Sequence, residues 1–115
     1  MKKDASIFIK HILESIERIE EFTKEISKEK FVNSVQIQDA VIRRIEIIGE
    51  ATKNIPNKFR KEYSEVPWGE MAKTRDKLIH GYFGVDLDLT WDIVKKDLPD
   101  LKKKVKKILK ESDVE

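Results

Sequence analysis

The sequence predicts an all-α protein, a four- to five-helix antiparallel bundle. Three observations carry that reading. Apolar residues recur every three or four positions along most of the 115 residues, no stretch sustains an alternation of period two, and four glycines and three prolines leave few places to break the chain. One compact domain over residues 1–115 is the expectation for this length.

The elements follow in order. Phe8, Ile12, Ile16, Ile19, Phe22 and Ile26 form one stripe, which predicts a helix over about residues 5–27 with Lys, Glu and Arg on its other faces. Glu29 to Asn33 reads as a loop. Asn33 with Gln36 resembles a capping box opening a second helix, which turns Ile37, Val41, Ile45 and Ile48 inward and ends before Pro56. The connection from Asn54 to Pro67 has room for one helical turn after Pro56. Pro67 suits the first position of a third helix, where its missing N–H would be unpaired in any case. That helix runs through Trp68, Met71 and Ala72 towards Leu78 and Ile79, and Gly81 and Gly84 bracket its end. Asp86 then caps a fourth helix bearing Leu87, Trp91, Val94, Leu98, Leu101, Val105 and Ile108. The stripe keeps its phase through Pro99, so the segment is two pieces or one kinked helix, with Asp97 capping a basic C-terminal helix of about residues 97–111.

Composition narrows the function. The chain is 39% hydrophobic and 40% charged, enough apolar residues for a core, with the charge left to solvated faces. Twenty-four Lys and Arg against 22 Asp and Glu give a net charge of +2, which argues against a dedicated DNA-coating protein. The absence of cysteine removes disulfide scaffolds, zinc knuckles and thiol catalysis. With His11 and His80 as the only histidines, no metal site and no cofactor is expected. The apolar run near the start stops at Lys10, too short for a signal peptide, and nothing approaches a membrane span. A soluble, cytoplasmic protein without membrane contact is the expectation. Four helices of this length enclose a thin core, which favours a homodimer.

The chemistry-bearing stretch is Arg75-Asp76-Lys77-Leu78-Ile79-His80-Gly81-Tyr82-Phe83-Gly84. Asp76 and His80 are four apart and share a helical face, so the carboxylate could orient and charge the imidazole. Arg75 and His80 are five apart, about 140° round an ideal helix. They converge only if the helix ends near His80 or a second subunit completes the site. An arginine fork suits phosphate, and histidine moves a proton near neutral pH. The pair therefore suits metal-free RNA cleavage, in which the 2′-hydroxyl attacks the neighbouring phosphate and Arg75 stabilises the charge that develops there. The plainer reading makes His80 a cap on the helix C-terminus and leaves Arg75 and Asp76 in surface ion pairs.

Arg-x4-His-x-Tyr, standing as Arg75…His80-Gly81-Tyr82, resembles the signature of the HEPN superfamily, specifically its HepT-like branch. Residues 40–56 and 67–99 are similar to that branch nearly end to end, and the resemblance covers about residues 5–110. It implies an all-α homodimer whose two motifs face each other across a cleft. It also implies a metal-independent ribonuclease, the toxin of a toxin–antitoxin pair with a small nucleotidyltransferase (MNT-type) antitoxin. Carried over by position, Arg75 and His80 become the catalytic pair, Asp76 the supporting polar residue, and Tyr82 the tyrosine to which the partner adds AMP. That addition puts bulk and negative charge where an RNA phosphate must sit. The same fold also serves as a non-catalytic module that binds a nucleotidyltransferase partner and nucleotides. Lys73-Thr74 is polar where the family is usually apolar or glycine-rich, which bears on the packing of that turn.

Other residues read more simply. Arg43, Arg44, Glu46 and Glu50 line one side of the second helix, a solvated face or a set of groups beside the cleft. Trp68 and Trp91 sit at core spacing and read as packing residues rather than base-stacking platforms. Eight lysines between Lys95 and Lys110 read as a solvated face ahead of a phosphate-binding strip.

Overall fold

The computed structural model describes residues 3–79 and 84–113. The elements are α1 (Lys3–Thr23), α2 (Lys28–Val32), α3 (Val35–Lys53), α4 (Asn57–Glu62), α5 (Trp68–Leu78) and α6 (Leu87–Asp92), a π-helical turn (Ile93–Asp97), and α7 (Leu98–Asp113). The fold is all-α, as the periodicity predicts. The longer helices α1, α3, α5 and α7 form the bundle. α3 packs between α1 and α5, and α7 lies along α1.

α1 supplies the deepest layer. Ala5, Ile9, Ile12, Ile16 and Ile19 are spaced four and three apart and are essentially inaccessible. Each isoleucine contributes about 1.5–3 kcal/mol by burial. Ala5 and Ile9 begin this stripe in place of the Phe8 that the spacing predicts, and Phe8 is half-buried at the edge of the core. α1 ends at Thr23, whose hydroxyl donates to the Ile19 carbonyl, and Ile26 packs from the linker. Facing α1, the α3 residues Val41, Ile45 and Ile48 are buried. The buried side chains of all these helices form one contiguous core.

Four local expectations require correction. Residues 28–32 are helical, not a loop: Ser27 caps the turn by accepting from Lys30 N, and Phe31 is fully buried against Trp91, with ring centroids 5.3 Å apart. The start of α3 is capped by Ser34, which accepts from Ile37 N, and not by Asn33. Asn33 instead closes α2, its side-chain amide donating to the Glu29 carbonyl at 2.9 Å. Pro67 is the residue before α5 rather than its first, and Trp68 opens the helix. Asp97 caps nothing, because α6, the π turn and α7 run on as one helical column. Leu98 N bonds to Ile93 O, five residues back, and the wider turn accommodates Pro99, which lacks an N–H and would crowd the preceding turn of a regular α-helix. Asp86 does cap α6, accepting from Leu89 N at 3.0 Å.

Both tryptophans are packing residues. Trp68 is buried and donates to the Tyr63 carbonyl, and Trp91 lies against Phe31 with Lys95 over its ring. The lysine run is divided by the fold. Lys95 donates to the Thr23 carbonyl, Lys102 pairs with Glu20 at 2.7 Å, and Lys96 and Lys104 pair with Asp92 and Asp100. Lys103, Lys106, Lys107 and Lys110 are exposed.

Candidate active site

The site is assembled where α5 crosses α3. The two helices run antiparallel in close contact at Gly49, whose absent side chain faces the Met71 and Ala72 carbonyls. Three residues before Gly49 on α3 stands Glu46, and three residues after Ala72 on α5 stands Arg75. The Arg75 Nε donates to Glu46 Oε2 across that crossing. Glu46 is the less accessible partner, 29% exposed in its side chain against 48% for Arg75. Because the carboxylate occupies Nε, the outer edge of the guanidinium is left for other partners. Asp76 Oδ1 lies 4.0 Å from Nη1, too long for a hydrogen bond, and Asp76 is largely exposed.

α5 stops at Leu78. Ile79 leaves in an extended conformation, its N–H bonded to the Arg75 carbonyl at 3.0 Å. An isolated antiparallel bridge pairs Ile79 with Val85, and Asp86 N donates to Leu78 O at 2.7 Å. Gly84 returns the chain with φ +91°, a conformation that side chains with a Cβ rarely adopt. The described chain at the end of α5 is thus paired with the chain just before α6, at Ile79 and Val85 and at Leu78 and Asp86. His80, Gly81 and Tyr82 themselves lie outside the described residues. The helix ends before position 80, which meets one condition for Arg75 and His80 to converge.

The polar pair Lys73-Thr74 is accommodated without disturbing α5. Lys73 faces solvent, the Thr74 hydroxyl donates to the Glu70 carbonyl at 2.8 Å, and Met71 and Leu78 still point into the core. Beside this turn, α5 and α7 stand apart and leave an open groove of about 500 Å³ over Ile45 and Ile48, edged by Thr74, Lys77 and Leu101. Among the described residues, no three His, Asp or Glu side chains converge as metal ligands would, and no helix is long and apolar enough to cross a membrane.

Known proteins share this pattern over most of the chain. The family model described as ribonuclease HepT-like matches residues 12–108. The chain belongs to the HepT-like ribonuclease family. A Thermococcus cleftensis protein named "Probable ribonuclease HepT" is 54% identical over 110 residues, 96% of this chain and 100% of its own length. A Methanocaldococcus jannaschii protein named "Gamma-glutamylcyclotransferase and putative RNase" is 58% identical over 113 residues, 98% of this chain. The chain spans about half the length of that relative, 51%. A second protein of that organism, named "Putative RNase", is 50% identical over 104 residues, 90% of this chain and 95% of its own. No solved structure matches.

Within this HepT-like fold, Arg75 stands in the last turn of α5, as the sequence predicts, with Asp76 beside it. Glu46, by spacing chiefly part of a solvated face, is instead the partner of Arg75. Twenty-nine residues separate Glu46 from Arg75, and no spacing rule within one helix could pair them.

Proposed function

We propose that this HepT-like protein is a metal-independent endoribonuclease in which Arg75 and His80 form the catalytic pair. The observation that carries the proposal is the family match over residues 12–108, a span that includes the Arg75…His80 motif. In the reaction the 2′-oxygen forms a bond to phosphorus and the 5′-oxygen bond breaks. His80 takes the proton from the 2′-hydroxyl or returns one to the 5′-oxygen, and the product carries a cyclic phosphate. Arg75 stabilises the charge that builds on the phosphorus oxygens through its outer amino groups. Asp76 supports the imidazole. A homodimer brings two copies of the motif to one cleft, so that one histidine can act as base and the other as acid.

The toxin role belongs to the same proposal. An MNT-type nucleotidyltransferase antitoxin adds AMP to Tyr82, and the added phosphate repels RNA from the cleft. The test is cleavage of tRNA and mRNA by the purified protein in EDTA, with Arg75→Ala and His80→Ala prepared identically. The expected result is cleavage by the wild type alone, leaving cyclic phosphate ends. A folded dimer that leaves both RNAs intact would refute the nuclease reading and favour a docking module.

A further inference from the structure

We infer that Glu46 is a positioning residue for Arg75, fixing which edge of the guanidinium meets the RNA phosphate. The inference rests on the nuclease reading above and adds to it a residue outside the motif, on a different helix. A guanidinium has five donors in a rigid plane, and an exposed arginine stem has several rotatable bonds. At the end of α5 such a side chain would sample many orientations. With Glu46 accepting at Nε, the guanidinium plane is held from one side and the Nη1/Nη2 edge stays free of that carboxylate. That edge still offers two parallel N–H bonds to a phosphate. Glu46 is well suited to the task. It is the more shielded partner, and it projects from α3, which packs against both α1 and α5 and so moves little relative to the core. The contact at Gly49 sets the distance between the two helices one turn from the ion pair.

The alternative role for an acid on a catalytic arginine is a mask that competes with the phosphate. The two roles predict opposite results on neutralisation. Glu46→Gln keeps a side-chain oxygen that can accept from Nε, whereas Glu46→Ala removes the acceptor. Positioning predicts that Glu46→Ala lowers kcat on the order of 10- to 100-fold, the usual cost of a misplaced catalytic group, while Glu46→Gln stays within about 10-fold of wild type. Affinity for 2′-O-methylated RNA, which binds but lacks the attacking hydroxyl, should change much less than kcat. The Arg75 Nε–H should be protected from hydrogen exchange in wild type and lose that protection in Glu46→Ala.

An active wild type whose Glu46→Ala form keeps full kcat would overturn the inference alone, as would a gain of activity in both variants. A wild type that neither cleaves nor binds RNA would overturn the nuclease reading and this inference with it. Loss of kcat in Glu46→Ala only in proportion to unfolded protein, with Glu46→Gln equally impaired, would reduce Glu46 to a structural ion pair and also overturn it.

Discussion

Gly49 offers a sharp test of how closely α3 and α5 must approach. A Cβ built at this position meets the Ala72 and Met71 carbonyl oxygens at 3.6 Å, an ordinary van der Waals contact. Nothing needs to move, and the backbone is already helical. Gly49→Ala should therefore stabilise the protein. Removing glycine from a helix interior is worth about 1 kcal/mol, and burial of the methyl group adds a contribution of about 0.8 kcal/mol at most. We expect a net gain of about 1 kcal/mol, because some of the new contact is with polar oxygens. With an unfolding entropy of about 2.1 cal/mol/K per residue over 115 residues, that gain corresponds to a rise in Tm of roughly 4 °C. Gly49→Leu should do the opposite. Its branched end has no room against those carbonyls, so α5 must lift from α3, at a cost of about 1–3 kcal/mol for overpacking. The same displacement would draw Arg75 away from Glu46. The assay is thermal unfolding by circular dichroism, with RNA cleavage measured on the same preparations. A Gly49→Ala protein that melts below wild type would refute the reasoning, since it would mean the helices pack more tightly than the 3.6 Å contacts allow.

Three further predictions follow from polar groups in the frame. The Ser15 hydroxyl is fully buried and has no hydrogen-bond partner among the described residues, so Ser15→Ala should raise stability by about 1 kcal/mol, seen as a higher urea midpoint with an unchanged m-value. Arg60 donates from Nε to the Ile55 carbonyl at 3.1 Å and from Nη2 to the Thr52 carbonyl at 2.6 Å, closing the C-terminal end of α3. Arg60→Met should cost about 2 kcal/mol in the same unfolding assay, and a neutral result would show that water replaces both bonds. The hydrogen bond from Lys102 to the Glu20 carboxylate raises the ammonium pKa above its ordinary 10.5. A raised folded pKa gives stability that is fully present below 10.5 and lost as pH climbs through the folded value. The stability difference between wild type and Lys102→Met should hence be constant from neutral pH to about 10 and shrink above it; a difference that grows above pH 10 would refute the sign.

Much of the frame is legible in the sequence because it depends on local periodicity. The α1, α3 and α7 stripes announce themselves at spacings of three and four, and Asp86 caps α6 where a short side-chain acceptor precedes an apolar run. The errors lie where tertiary contact outweighed local preference. Glu29 to Asn33 looks like a loop by composition, yet Phe31 needs burial against Trp91, a partner 60 positions away, and the segment turns helical to place it. Pro99 signals a break, yet a single π turn absorbs it because Leu98 and Leu101 must stay in phase with the core.

The functional site divides in the same way. The motif from Arg75 to Tyr82 is contiguous, so its residue types and spacing are written in the chain, and they suffice to point to phosphate chemistry and to the HepT-like family. Its setting is not. The Ile79–Val85 bridge depends on where α6 begins in space, and the Glu46–Arg75 pair depends on the close crossing of α3 and α5. Sequence alone thus determined which groups are the candidates for the proposed chemistry, because those are properties of side chains in a short run. Only the tertiary structure decided how the arginine is held, because a salt bridge between two helices depends on their separation and angle, and neither is encoded within either helix.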